Sequence, residues 1–199
     1  MKRKIGIFGG TFNPIHNAHI SIAESFVNNF ELDICYFVPA YQSPFRLTEK
    51  DVISPSNRLQ MVEIALRDYP LFSVLHYEIE KATTSYTIDT INHLKSLYPL
   101  DDLFLLIGGD QAESFILWKQ YLDILSNVQL CIAKRPYFKL DDDIISKLSI
   151  ENKKPIIVQT KQFEISASKI RQSIKIGKDI GELIPKEINE FIISKNLYK

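Results

Sequence analysis

The sequence has few cysteines and no excess of either charge. Its two cysteines, Cys35 and Cys131, lie in apolar runs, and their spacing fits neither a disulfide framework nor a metal site. This indicates buried free thiols in a reducing compartment. With 24 basic and 24 acidic residues the formal net charge is zero, which argues against a broad nucleic-acid or membrane surface. Any phosphate group must therefore be bound by locally placed groups.

Long hydrophobic runs, repeats and low-complexity tracts are also missing. No apolar run is long enough to span a bilayer, and the N-terminus leads into a strand-like run without a signal peptide. We therefore expect a cytoplasmic protein that binds neither membranes nor nucleic acid. The length of 199 residues predicts a single domain over residues 1–199, with a helical C-terminal portion at about 166–199.

Apolar runs typical of buried strands alternate with segments of helical periodicity along nearly the whole chain. This alternation predicts an α/β fold, with a Rossmann-like, doubly wound parallel sheet and helices on both of its faces. Ser54 and Pro55 form a typical helix start. The predicted strands are residues 5–8, 34–38, 72–77, 103–107, 128–133 and 155–159, and the late helices are residues 167–176 and 185–197. Ligands of such sheets bind at the carboxyl ends of the strands.

The most informative segment is residues 9–19, GGTFNPIHNAH, which follows the first apolar run and opens a helix. Glycines at Gly9 and Gly10 let backbone amides approach a ligand closely. A helix N-terminus favours phosphate through its unpaired N–H groups and its dipole. His16 and His19 are three residues apart, so their rings share one face of the first turn, where they can stabilise negative charge that develops during phosphoryl or nucleotidyl transfer.

This segment resembles the G-x-F-[DN]-P-x-H-x-G-H signature of the nucleotidylyltransferase superfamily. Asn13 and Ala18 stand where aspartate and glycine are commoner. The resemblance implies transfer of an adenylyl group from ATP, bound as its Mg²⁺ complex, to a phosphorylated acceptor. It also places Gly9, Gly10 and Phe12 in the ATP site.

A second segment, ISASKIR at residues 165–171, resembles the I-S-S-T-x-I-R motif of the same superfamily. Ser166, Ser168 and Arg171 begin a helix and would form a second anion site that binds ATP phosphates. The alternative is structural, with Ser166 as an ordinary helix cap and Arg171 in solvent.

Gly108 and Asp110 follow the fourth predicted strand, where the superfamily has a G-x-D that contacts the adenosine ribose. The resemblance therefore assigns both residues to ATP binding. Asp110 and Glu113 also have the spacing of a capping box, and the two roles are compatible.

Residues 85–90, SYTIDT, resemble a segment of bacterial nicotinate mononucleotide adenylyltransferases. The resemblance implies that Ser85, Tyr86 and Thr87 receive the carboxylate of the pyridine ring. Hydroxyl and N–H donors at a helix start suit a small anion, although an ordinary Ser/Thr-rich helix entrance has the same pattern.

Trp118 is the single tryptophan and is predicted on the helix after Asp110. The same resemblance implies that it stacks on the pyridine ring, with the amide of Lys119 near the carboxylate. A lone tryptophan on a helix is otherwise a typical core residue.

Two arginines complete the predicted site. Arg46 lies in a Ser-Pro-Phe-Arg loop that corresponds to the family's P-P-H-[KR] loop, and its charge would meet ATP phosphates. Arg135 ends a later strand at the same edge and is a candidate substrate contact.

The resemblance as a whole implies the reaction of ATP with nicotinate mononucleotide to give deamido-NAD and pyrophosphate, a step of NAD biosynthesis. The acceptor phosphate attacks in line and is already ionised, so catalysis reduces to positioning and charge stabilisation. His19 would contact the α-phosphate, assisted by His16, while Arg171 and Arg46 hold the β- and γ-phosphates. Thr11 would place the acceptor phosphate.

Several alternatives remain open at this point. Phosphopantetheine could be the acceptor, because its adenylyltransferase shares the histidine signature and the late helix motif. Nicotinamide mononucleotide could also be the acceptor, because the choice between a carboxylate and an amide depends on a few hydrogen bonds. From other classes, a hydrolase could use the two histidines as metal ligands, but no motif supplies a third ligand. A dinucleotide-dependent oxidoreductase would need G-x-G-x-x-G after the first strand, and a non-catalytic binding module would not need the histidines.

Overall fold

The computed structural model describes residues 2–49, 51–134, 141–150, 153–160 and 165–199. Its centre is a six-stranded sheet in the order β3-β2-β1-β4-β5-β6, in which each neighbouring pair is parallel. The strands are β1 (Lys4–Gly10), β2 (Ile34–Pro39), β3 (Phe72–Val74), β4 (Asp102–Gly108), β5 (Gln129–Ala133) and β6 (Ile156–Val158). The order reverses between β1 and β4, which opens a crevice at their carboxyl ends.

Helices connect the strands and extend the chain beyond β6. Their bounds are α1 (Asn17–Phe30), α2 (Pro55–Leu66), α3 (Tyr77–Lys81), α4 (Thr87–Leu97), α5 (Gly109–Ala112), α6 (Tyr121–Asn127), α7 (Asp142–Lys147), α8 (Ala167–Lys175) and α9 (Lys186–Ser194). Two short 3₁₀ turns, η1 (Pro44–Arg46) and η2 (Phe115–Leu117), follow β2 and α5. No helix in the described part of the chain is both long and apolar enough to cross a membrane.

The strands bury alternate side chains on opposite faces of the sheet. Ile5 and Ile7 belong to one apolar core with residues of α4 and α6, whereas Phe8 and Phe37 belong to another with residues of α1, α2, α8 and α9. Helices therefore cover both faces, and the predicted Rossmann-like, doubly wound sheet is confirmed.

Local signals also agree with the structure at several points. The Ser54 hydroxyl accepts a hydrogen bond from the Asn57 amide at 3.2 Å, and Pro55 is the first residue of α2. Both cysteines are buried and free. Burial raises the pKa of the Cys131 thiol to about 12 and the pKa of Cys35 further, because the thiolate would lose its hydration.

The predicted third strand is wrong beyond Val74. β3 is an edge strand that pairs with β2 over three residues, and Tyr77, predicted as strand, begins helix α3 instead. The acidic residues Glu78 and Glu80 lie in the first turn of that helix, where carboxylates are favoured by the dipole. The largely apolar residues 72–77 have the pattern of one strand, so the sequence does not indicate that the strand ends at Val74.

The packing around Gly6 in β1 gives a stability prediction. A Cβ atom there would lie 2.7 Å from Leu32 Cδ1 and 2.9 Å from Phe26 Cε1. Gly6→Ala is therefore expected to lower the free energy of unfolding by about 1–3 kcal/mol, measured by urea denaturation. Gly9→Ala is the matched control, since its Cβ would meet no atom within 4 Å. Equal stability losses in the two variants would contradict this packing account.

Candidate active site

A cavity of about 610 Å³ opens at the carboxyl edge of the sheet. Its walls come from the loop between β1 and α1, the η1 turn, the starts of α4 and α8, and the segment after β4. Sequence segments that were singled out separately thus meet in one place. The predicted site residues that line the cavity are Gly9, Gly10, Thr11, Phe12, His16, His19, Arg46, Ser85, Tyr86, Thr87, Gly108, Asp110, Trp118, Lys119 and Arg171.

The two histidines form a stacked pair at the start of α1. His16 is the N-cap residue and His19 lies in the first turn, and their ring centroids are 3.6 Å apart at an interplanar angle of 15°. The backbone N–H of His16 donates to Nδ1 of His19 at 3.2 Å. A neutral His19 ring therefore carries its proton on Nε2, so that this atom can donate to a phosphate oxygen.

Phe12 packs against His19 of this pair. Its ring is 2% exposed and makes an edge contact with His19 at 5.1 Å. A Cβ atom at Gly10 would lie 2.9 Å from the Phe12 ring, so glycine at that position makes room for it. The predicted contact of Phe12 with ATP stays a prediction, since the described contacts of the ring are packing contacts.

Asn13 joins four parts of the chain. Its Nδ2 donates to the Asp51 carbonyl at 2.9 Å, and its Oδ1 accepts from the Ile53 amide at 3.3 Å and from the Tyr198 hydroxyl at 2.9 Å. Its carbonyl accepts from Nη1 of Arg171 at 2.9 Å. The side chain both donates and accepts, which an ionised aspartate could not do. Asparagine thus suits these partners.

Arg58 is the site-organising residue that the sequence analysis missed. It is 1% exposed and donates to the carbonyls of Ile53, Thr11 and Tyr41 at 3.2, 2.8 and 2.9 Å. Burial lowers the pKa of Arg58 to about 10, which leaves the group charged at neutral pH. Its sequence context in α2 is that of an ordinary polar helix residue, so periodicity carries no signal of this role.

The entrance to α4 is tied to the loop after β2. The Ser85 hydroxyl accepts from the Tyr41 amide at 2.9 Å, and the Ser85 amide donates to the Gln42 carbonyl at 2.9 Å. Tyr86 is the N-cap residue and Thr87 is the first helical residue. The N–H groups of this helix start lie at the cavity wall, which favours a bound anion there.

Glu78 lines the cavity and is the second residue that the sequence analysis missed. It accepts a hydrogen bond from the Thr90 hydroxyl at 2.6 Å. Burial raises the pKa of Glu78, and the hydrogen bonds from Thr90 and Ser85 oppose that shift. The Glu78 carboxyl group therefore stabilises the α4 entrance by accepting hydrogen bonds from Thr90 and Ser85.

Trp118 lies at the cavity, but not on a helix as predicted. It ends the 3₁₀ turn η2, its backbone N–H bonds to the Phe115 carbonyl, and its ring centroid is 4.8 Å from that of Phe115. The chain tightens into a 3₁₀ turn here. Lys119 extends its ammonium over the Tyr86 ring at 4.4 Å, which places the segment beside the α4 entrance.

Gly108 is the N-cap of α5 and holds Asp110 close. A Cβ atom at Gly108 would lie 2.6 Å from Oδ1 of Asp110, so glycine allows the carboxylate to approach. The predicted capping partner is wrong, because the Gly108 amide donates to Oε1 of Gln111 at 3.0 Å and not to Glu113. The N-cap is Gly108, two residues before Asp110, and this moves the capping partner from Glu113 to Gln111.

The three residues predicted at the start of α8 do not all line the cavity. Arg171 lines the cavity, whereas Ser166 and Ser168 are not among its lining residues. The Ser166 hydroxyl accepts from the Lys169 amide at 3.3 Å and caps the helix. Nε of Arg171 is buried without a hydrogen-bond partner among the described residues, which suits an anion-binding group.

The remaining cations differ in how well the structure places them. Arg46 forms an ion pair with Glu49 at 3.2 Å and is about half exposed. Lys134, which the sequence analysis did not select, lines the cavity beyond β5. Arg135 lies outside the described residues.

A metal centre built by the protein is not found within the described ranges. No group of three or more His, Cys, Asp or Glu residues there could hold a metal ion. The geometry of these residues gives no support to the histidine–metal hydrolase.

The cytidylyltransferase-like family model matches residues 7–173, from the glycine loop past Arg171. The chain is 35% identical over 203 residues to the probable nicotinate-nucleotide adenylyltransferase of Clostridium tetani, covering 100% of both chains. It is 33% identical over 198 residues to the nicotinate-nucleotide adenylyltransferase of Bacillus subtilis, covering 99% of each. The structure of Plasmodium falciparum nicotinic acid mononucleotide adenylyltransferase complexed with NaAD matches with a TM-score of 0.78 and 21% identity over 98% of this chain and 97% of that one.

The hydrogen bond from Tyr198 to Asn13 predicts that Tyr198 affects ATP binding, although it does not line the cavity. Tyr198→Phe removes one hydrogen bond to Asn13, so we expect a stability loss of about 1 kcal/mol and a several-fold higher KM for ATP, because Asn13 positions Arg171. Urea denaturation and steady-state kinetics measure the two effects.

Tyr36→Phe is the control for that variant. Its hydroxyl bonds to that of Tyr98 at 2.9 Å, and neither residue lines the cavity. It should lose similar stability with an unchanged KM for ATP. The same KM in both variants would refute the positioning role of Tyr198.

Proposed function

The chain belongs to the cytidylyltransferase-like family and, within it, to the nicotinate-nucleotide adenylyltransferases, and we propose that it transfers the adenylyl group of ATP to nicotinate mononucleotide. The products are deamido-NAD and pyrophosphate. The observation that carries this proposal is the meeting of the stacked histidine pair, Arg171 and the α4 entrance around one cavity. That cavity offers both a triphosphate site and a site for a small carboxylate.

The reaction needs charge stabilisation more than proton transfer. A 5′-phosphate oxygen of the acceptor forms a bond to the α-phosphorus, while the bond from that phosphorus to the β-phosphate oxygen breaks and pyrophosphate leaves with the electron pair. The acceptor phosphate is already ionised at neutral pH, so no general base is required. His19 donates from Nε2 to an α-phosphate oxygen, and the stacked ring of His16 limits its rotation.

Two arginines, Arg171 and Arg46, bind the triphosphate. Nη1 of Arg171 donates to the Asn13 carbonyl, and the other N–H groups of Arg171 bind the β- and γ-phosphates. Arg46 is a second contact of these phosphates. Ser166 and Ser168 contribute to this site through the backbone amides at the start of α8. Mg²⁺ supplied with ATP would neutralise part of the triphosphate charge, while Arg171 and Arg46 bind that group.

Neutral donors bind the acceptor, and a separate pair of residues binds the adenosine ribose. Thr11 and the amides of Gly9 and Gly10 place the acceptor phosphate, and Gly108 with Asp110 contacts the adenosine ribose. The α4 entrance, formed by Ser85, Tyr86 and Thr87, and the Lys119 amide receive the pyridine carboxylate, while Trp118 stacks on the ring. Arg135 remains a predicted substrate contact, and a single cytoplasmic domain remains our prediction for the chain.

The acceptor is tested by pyrophosphate release from ATP and Mg²⁺ with three candidate substrates. Nicotinate mononucleotide should give a kcat/KM at least tenfold above nicotinamide mononucleotide, because the α4 N–H donors favour an anion over a neutral amide. Phosphopantetheine should give no turnover above background. Preference for either rival would overturn the acceptor assignment and keep adenylyl transfer.

The role of His19 is tested with two variants. His19→Asn keeps an acceptor near the position of Nδ1 for the His16 amide and removes the Nε2 donor, and His19→Ala removes both. Each should lower kcat about a hundredfold or more, as for loss of one transition-state donor. Single-turnover kinetics with saturating substrates measures the effect.

His93→Ala is the control for the histidine variants. His93 stacks on Tyr77 at 4.2 Å and does not line the cavity, so its loss should leave kcat near the wild-type value. A folded His19→Asn variant with near-normal turnover would refute the catalytic assignment.

A further inference from the structure

Phe45 is an exposed aromatic residue at the cavity. Its relative exposure is 58%, although it lies in the η1 turn directly after Pro44 and lines the cavity wall. Exposing a large apolar ring forgoes the free energy of burial. In the P-P-H-[KR] loop that this segment resembles, Phe45 stands at the position of the histidine, and Arg46 keeps the basic residue.

The ring of Phe45 lies beside the ring of Trp118 in a tilted arrangement. Their centroids are 6.5 Å apart with an interplanar angle of 39°, which is wider than the 4.8 Å between Trp118 and the buried Phe115. η1 follows β2 and Trp118 follows β4, and these strands flank β1 on opposite sides. The two rings therefore approach each other from opposite walls of the cavity.

The separation is close to that needed to hold a third ring. Carbon atoms in optimal contact are about 3.5–4.0 Å apart, so two rings that sandwich a planar ring are roughly 7–8 Å apart. A shift of about 1 Å in the exposed η1 turn, together with a rotation of the Phe45 ring that removes the 39° tilt, would open that space. An aliphatic or phosphate group would gain little from two aromatic faces, whereas a planar heteroaromatic ring gains from both.

We propose that Phe45 and Trp118 form a two-sided aromatic slot for the pyridine ring of the acceptor, with Phe45 as a specificity-determining contact on the second face. This inference rests on the proposed function. Lys119 and the α4 entrance lie next to the slot, so the ring and its carboxylate are bound by adjoining groups. Phe45 contributes to acceptor binding and not to ATP binding.

The test follows the fluorescence of Trp118, the single tryptophan, during titration with nicotinate mononucleotide. Phe45→Ala should raise the Kd about tenfold, the scale of one lost stacking contact. Phe45→Leu should give an intermediate value and Phe45→Tyr a value near wild type. The KM for ATP should stay constant through the series.

Leu47→Ala is the matched control, since Leu47 is 57% exposed two residues further on and does not line the cavity. It should leave both constants unchanged. Ribose 5-phosphate, which lacks the ring, should inhibit wild type and Phe45→Ala equally.

The outcomes separate the slot from the proposed function. Wild-type binding and turnover with an unchanged Kd in Phe45→Ala would overturn the slot alone, as would a rise in the KM for ATP without a change in acceptor Kd. Absence of both binding and turnover of nicotinate mononucleotide in the folded wild type would overturn the proposed function and the slot with it.

Discussion

The buried guanidinium of Arg58 is the interaction on which the geometry of the cavity depends. It donates to the loop after β1 at Thr11, to the loop after β2 at Tyr41 and to the segment before α2 at Ile53. A buried charge is stable only when such acceptors surround it. The three segments are therefore fixed relative to one another before any ligand binds, which suits a reaction that relies on positioning.

Asn13 continues this network to the second half of the site. Through its side chain and carbonyl it connects the glycine loop with Tyr198 near the C-terminus and with Arg171 on α8. Ser85 extends the network in the other direction, since it binds the amide of Tyr41. One network of hydrogen bonds thus connects the loop after β1, Arg171 and the α4 entrance, although these groups are far apart in sequence.

The sequence predicted the parts of this arrangement that depend on local pattern. Continuous apolar runs such as residues 5–8 predicted the strands, and the glycine–histidine segment predicted the centre of the cavity. Arg58 and Glu78 were not predictable, because their roles arise from burial among distant segments and not from neighbours in sequence. Trp118 and Tyr77 were misplaced locally for a related reason: short 3₁₀ and helical turns there follow tertiary contacts that periodicity does not encode.

The central claim is that His19 and Arg171 act on one triphosphate held over the glycine loop. A crystal structure of this chain with a non-hydrolysable ATP analogue and Mg²⁺ tests it most directly. Our account predicts Nε2 of His19 and an N–H group of Arg171 each within about 3 Å of phosphate oxygens of the same analogue. A triphosphate bound away from His19, with Arg171 still engaged only by Asn13, would contradict it.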